Sequence, residues 1–144
     1  MPEIISVLPR LIIRHVNNAP CQRMASKTRY THFLKFWLPV YLYAALIFVH
    51  SSLSSPPIAL KILHGDKLVH LIEYAIFGYL LGRAAKNSSA FKIRAHFRIL
   101  AVSVAILYGL TDEFHQYFVP GRKADIFDVL ADGVGAFLGQ MLIR

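Results

Sequence analysis

The sequence predicts an all-α integral membrane protein, a bundle of four short transmembrane helices with both chain ends on the cytoplasmic side, and three observations carry that prediction. The first is composition: 56% of the 144 residues are hydrophobic and 17% are charged, where ordinary soluble domains carry about 25% charged residues. A mean hydropathy of +0.47 is more than a small soluble bundle can hide. The second is that the apolar residues fall in four runs. The third is the placement of Lys and Arg, which number six before the first run, then two, five and two in the successive connections, and one at the end. That alternation fits termini and a middle loop on the cytoplasmic side. Seven of the eight acids, all but Glu3, then fall on the outer half.

The first 34 residues are a mixed extension in which Pro9 and Pro20 interrupt any helix. It makes a poor signal peptide, because Glu3 precedes the apolar part and Pro9-Arg10 splits it. It reads as an interfacial piece or as an extension outside the folded unit, and Met24 opens a basic lead that fits a second start site. The folded unit is expected over 35–144. From Phe36 to Leu60 no Lys, Arg, Asp or Glu occurs over 25 residues. Its first part, FWLPVYLYAALIFVH, reads as helix one, with Phe36, Trp37, Tyr41 and Tyr43 as interface anchors. SSLSSPP, from Ser51 to Pro57, ends it.

Helix two is LVHLIEYAIFGYLLG, 15 residues between Lys67 and Arg83, and helix three is the 13-residue run from Ile99 to Thr111. Helix four runs from Asp125 to Ile143. A spanning helix needs about 20 apolar residues for a core of about 30 Å, so the charged ends of these shorter runs must lie within the membrane boundaries. Arg83 and Arg98 can snorkel outward. Carboxylates on short stems cannot, so the acidic ends are expected to sit in protein, facing one another.

A net charge of +8 would raise nucleic acid as a partner in a soluble chain. Here the bases bracket apolar runs and lack aromatic or Gly-rich recognition neighbours, which points to anionic lipid headgroups and sets nucleic acid aside. The single cysteine, Cys21, excludes an intrachain disulfide and a cysteine-based zinc cluster.

Two helical stripes carry the candidate chemistry. Asp66, His70, Glu73 and Tyr74 are spaced i, i+4, i+7 and i+8, along one helix face. Asp125, Asp128, Asp132, Gly135 and Gly139 follow steps of three and four. The lower part of that stripe is a small-xxx-small pattern for close helix approach. Between the stripes lies LTDEFHQYFVPGRKADIFD, where Pro120-Gly121 predicts a turn that aims Arg122 back over the helix ends. Intramembrane charges are costly, so each is read with a partner. Arg122 and Lys123 can pair with Asp112, Glu113, Asp125 and Asp128, and His70 can donate to Asp112 or Asp128 or shuttle protons. Asp112 with Glu113, or Glu73 with His70, can provide acid–base pairs. His115 is expected to be exposed at the mouth. Four outer-loop serines, Ser51, Ser52, Ser54 and Ser55, lack any G-x-S-x-G context and read as linker. His70, Asp112, Glu113 and Asp128 are donors that an oxygen-loving cation or zinc accepts, but no HExxH or other ligand spacing occurs. No metal or cofactor is therefore expected.

DKLVH (Asp66 to His70) with Tyr74, DEFHQYFVPGRKADIFD (Asp112 to Asp128) and the Gly-xxx-Gly helix together resemble the VanZ-like family of small integral membrane proteins, over roughly Phe36 to Gly139. The resemblance puts the family's polar positions on Asp66, Lys67, His70, Tyr74, Asp112, Glu113, Gln116, Arg122 and Asp128. Asp132 departs from it, standing where much of the family is expected to have Asn. The resemblance implies a multi-pass protein of the bacterial cytoplasmic membrane with a cell-envelope role, the family's name-giving member being associated with low-level teicoplanin resistance. The expectation is an outward-facing polar pocket for an anionic or amphipathic ligand: a lipid headgroup, a cell-wall precursor or an amphipathic antibiotic. Arg122 and Lys67 would hold the anion, with hydrogen bonds from Asp112, Glu113, His70 and Gln116. One alternative is a membrane hydrolase or transferase with Asp112 or Glu113 as base and His70 as acid. The other is a structural subunit whose charges only lock the helices.

Overall fold

A computed structural model of the chain describes residues 28–54 and 65–144, with backbone alone at Gly65 and Asp66. The readings placed on residues 1–27, on Ser55 to Pro57 and on the side chain of Asp66 lie outside the described residues. The unit that carries the site is Phe36–Arg144. Among the described residues every regular element is helical.

A π-helical turn, Phe33–Trp37, leads into helix α1, Leu38–Ser51. Pro39 explains the widened turn, since it has no N–H to give to the carbonyl four residues back. Helix α2 is Gly65–Lys86, α3 the short Phe91–Ala95, α4 Phe97–Gln116 and α5 Ile126–Met141. Among the described residues two stretches are long and apolar enough to cross a membrane, Thr28–Ser51 with 24 residues and Lys67–Lys86 with 20. Helix α5 has 16 residues, a rise of about 24 Å at 1.5 Å per residue.

The helices outrun the apolar runs of the sequence. Lys67 lies in the first turn of α2, and Asp112, Glu113 and Gln116 occupy the last two turns of α4. Buried partners at these ends hold polar residues in helical conformation where hydropathy alone would stop the helix. Helix α3 has no counterpart in the sequence reading.

Helices α2 and α5 meet backbone to backbone. A Cβ on Gly135 would strike the carbonyl oxygen of Leu71, and one on Gly139 that of Ala75. On the facing side, a Cβ on Gly78 would lie 2.6 Å from the Cα of Ala136. The side-chain amide of Gln140 donates to the Gly78 carbonyl at 2.5 Å and fastens the same seam. Around it the core gathers Ile47, Tyr74, Phe77, Ala105 and Ala136, and Tyr108 donates its hydroxyl to the Ala44 carbonyl at 2.7 Å, tying α4 to α1.

The distribution of polarity is inverted relative to a soluble bundle. Leu46, Phe48, Leu68, Ile72, Leu107, Phe114, Phe127, Leu130 and Phe137 are exposed, whereas His70, Asp112, Glu113, Gln116, Asp128 and Asp132 are buried. The two ends also differ. Lys86 donates to the carbonyl of Arg144 and Arg98 to that of Ile143, which makes the end around the C-terminus basic. The opposite end, where α1 and α4 finish and α2 and α5 begin, holds the acids. The Pro120-Gly121 turn lies there, with Gly121 at φ 85°, a left-handed conformation that glycine adopts without penalty.

Candidate functional site

The acidic end is a layered cluster. Lys67, on the first turn of α2, bridges two carboxylates of α5, at 2.7 Å to Asp125 Oδ2 and 2.9 Å to Asp128 Oδ1. One turn further, His70 Nδ1 lies 3.0 Å from Asp132 Oδ1, with the imidazole 5% and the aspartate 0% exposed. Below that, the Tyr74 ring stacks in parallel with His70 at 6.3 Å between centroids and closes the cluster from the apolar core. Helix α5 enters with Asp125 as its N-cap, the carboxylate accepting from the Phe127 amide at 2.9 Å.

Helix α4 supplies the remaining wall. Gln116 donates to Asp112 Oδ2 at 3.0 Å, and Glu113 Oε2 accepts from the backbone N–H of Asp125 at 2.7 Å. The other oxygen of Glu113, Oε1, is buried with no hydrogen-bond partner, as is Asp132 Oδ2. Space for the Asp132 carboxylate comes from Gly109, where any Cβ would meet Oδ2.

The structure brings together Lys67, His70, Tyr74, Asp112, Glu113, Gln116, Asp128 and Asp132 from the sequence reading, and it rearranges their partners. His70 pairs with Asp132, neither with Asp112 nor with Asp128. Glu73 pairs with His50 Nδ1 at 2.9 Å rather than with His70. Arg122 turns toward the C-terminal end of α1, donating from Nε to the Leu53 carbonyl at 3.2 Å and from Nη2 to that of His50 at 3.3 Å; helix C-termini favour cations there. The two cations expected to hold an anion thus already engage protein oxygens. His115 is half-buried, its Nε2 3.0 Å from Ser52 Oγ and its ring 4.7 Å from that of Phe48. Asp125, read as a partner of Arg122 or Lys123, pairs with Lys67 instead; Ser52 was read as linker, and His50 was missed. For His50 the available signal was a histidine closing a long uncharged run.

Beside the cluster lies a groove of about 400 Å³ between the end of α4 and the start of α5, lined by Leu110, Phe114, Tyr117, Ile126 and Val129 with Glu113 and Asp125 at its head. Its apolar walls and two carboxylates suit a molecule with a greasy body and a polar end.

Lys67 and the Phe127 amide hold the Asp125 carboxyl below the ordinary carboxylate range. The stabilisation from this contact is complete above the unfolded-chain pKa of about 3.9 and is lost as pH falls through the lowered folded value. Asp125→Asn keeps a capping side chain and removes the charge. The stability gap between wild type and Asp125→Asn in detergent melts is expected to be open at pH 7 and to narrow below pH ~4. A gap that is constant over that range would mean that the ion pair contributes nothing.

The family model described as VanZ/LLP1 matches residues 10–144, nearly the whole chain. No curated protein and no solved structure matches it.

Proposed function

The chain belongs to the VanZ/LLP1 family, and from that premise we propose that it is a four-helix protein of the cell membrane whose acidic end handles the polar head of an amphipathic envelope ligand. The groove between α4 and α5 takes the ligand's apolar part. The observation that carries this reading is the inverted polarity: an apolar exterior around buried charges, with a groove running from Glu113 and Asp125 along exposed apolar side chains. Lipid is the solvent in which such a surface costs nothing, and a bound amphiphile is the ligand that such a groove suits. Both termini are cytoplasmic in this reading, since the basic end around Arg98, Lys86 and Arg144 belongs on that side. The shortness of α5 brings the acidic mouth inside the outer boundary, where a thinned bilayer meets it. The ligand class is a lipid, a lipid-linked cell-wall precursor, or an amphipathic glycopeptide such as teicoplanin.

One observation favours a catalytic variant of the same reading. Asp112 is engaged by Gln116 and His70 by Asp132, which leaves Glu113 Oε1 as an unengaged carboxylate oxygen beside the groove. A hydrolase or transferase would use that oxygen as its base.

The test compares lipid and cell-wall profiles, and sensitivity to envelope drugs, in cells carrying wild type, Ala124→Trp or no protein. Ala124 lines the groove, and tryptophan there fills it without touching the buried pairs. The null strain is expected to differ from wild type, and Ala124→Trp at equal protein level to behave as the null. If Ala124→Trp behaved as wild type, the groove would have no part in function. Cysteines at Ser54 and Lys123 are expected to react with an impermeant thiol reagent from outside intact cells, and one at Lys86 is not; the reverse pattern would overturn the orientation.

A further inference from the structure

We infer that His70, Glu113 and Asp128 form a binding site for one divalent transition-metal ion of the Zn²⁺ or Mn²⁺ type at the mouth of the bundle. The three residues come from α2, α4 and α5, all are buried, and each offers a ligand atom within 4.8 Å of the others. A tetrahedral site with ligands at about 2.1 Å has edges of about 3.4 Å, so an ion would shorten the distances between them by up to about 1.4 Å from 4.8 Å.

The protein has already committed one atom of each. His70 Nδ1 is taken by Asp132, Glu113 Oε2 by the Asp125 amide and Asp128 Oδ1 by Lys67. Nε2, Oε1 and Oδ2 remain for a ligand. Glu113 is 6% exposed, and its Oε1 is buried with no partner. A carboxylate oxygen withdrawn from water with nothing to meet it is costly, and a cation is what such an atom accepts. Asp132 then acquires a reason to be fully buried behind His70. A carboxylate on Nδ1–H fixes the tautomer that presents the Nε2 lone pair, which is how metal-ligating histidines are held. Charge argues the same way, because Asp112, Glu113, Asp128 and Asp132 are buried together and, of these four, Lys67 bonds to Asp128 alone. One nitrogen and two oxygens, with positions left for water, suit Zn²⁺ or Mn²⁺ better than Ca²⁺, which takes six to eight oxygens. The inference shares Glu113 with the reading above but does not rest on it, since the ion needs only these three side chains and water; with the ion bound, Oε1 is a ligand and not the base of the catalytic variant.

The experiment uses the full-length, tag-free protein in detergent, stripped with a chelator and titrated with Zn²⁺ and with Mn²⁺. About one ion per chain is expected to bind. Glu113→Gln and Asp128→Asn are expected to weaken binding by at least tenfold, and Asp132→Asn by about 10–100-fold, while Lys123→Gln, at an exposed position, leaves it unchanged. X-ray absorption on the zinc-loaded wild type is expected to show one imidazole nitrogen with oxygens. Absence of uptake by wild type, equal uptake by Glu113→Gln and Asp128→Asn, or a shell containing sulfur or lacking imidazole would each overturn the site. The absorption spectrum needs no variant, so it decides the question even if the substitutions prevent folding.

Discussion

Gly139→Val is expected to yield no folded protein, with the chain lost to aggregation in size-exclusion chromatography of detergent extracts. The valine Cβ would strike the carbonyl oxygen of Ala75 and lie 2.9 Å from the backbone nitrogen of Tyr79. Neither is a flexible side-chain tip that can swing away; both belong to the hydrogen-bonded backbone of α2. Relief would require α2 and α5 to separate, which opens the seam at Gly135 and Gly78 as well and breaks the bond from Gln140 to the Gly78 carbonyl. A loss beyond about 4 kcal/mol is the expected scale for such a change. Gly133→Ala is the control. Its Cβ meets only the Ile106 side chain, at 3.3 and 3.4 Å, and near-wild-type stability is expected. Equal behaviour of the two variants would show that the helices are not in backbone contact.

The second large effect concerns the buried pair. Asp132→Ala leaves His70 without its partner in a site that water barely reaches, and breaking a buried pair by removing one member costs about 3–5 kcal/mol. Asp132→Asn retains a carbonyl oxygen that accepts from Nδ1–H, and a much smaller loss is expected. The double variant His70→Leu/Asp132→Leu removes both polar groups, and it is expected to be more stable than Asp132→Ala. Unfolding in mixed micelles checks the order wild type, Asp132→Asn, double variant, Asp132→Ala. Were Asp132→Ala as stable as Asp132→Asn, the hydrogen bond would carry no weight in the fold.

Much of this cluster was legible because a helix repeats every 3.6 residues. His70 and Tyr74 on one element, and Asp128, Asp132, Gly135 and Gly139 on another, announce their shared faces by spacing alone. The glycine seam was legible for the same reason. What spacing does not contain is the axial stagger between two helices, and the stagger chooses partners. His70 meets Asp132 rather than Asp128 because the contacts of Gly135 with Leu71 and Gly139 with Ala75 fix how far α5 has slid along α2. A shift of one turn would have delivered a different acid. The pairing of His50 with Glu73 and the contact of His115 with Ser52 depend likewise on where α1 ends against its neighbours. Arg122 was read as an anion clamp from its charge and its Pro-Gly turn. The sequence could not show that the carbonyls of His50 and Leu53, at and just past the end of α1, would accept from its guanidinium.

The span between His70 and Asp132, 62 residues, also sets a timetable. At a synthesis rate of about 5–20 residues per second, α2 emerges roughly 3–12 s before the aspartate that completes it. During that interval His70 and Lys67 have no carboxylate of α5 to meet, and the seam that α2 offers is empty. Helix α2 is thus made as half of a structure, and its seam is filled only when α5 follows it. A chain truncated within α5 would lose Gln140 and then Gly139 and Gly135 in turn, and with them the seam that sets Asp132 against His70.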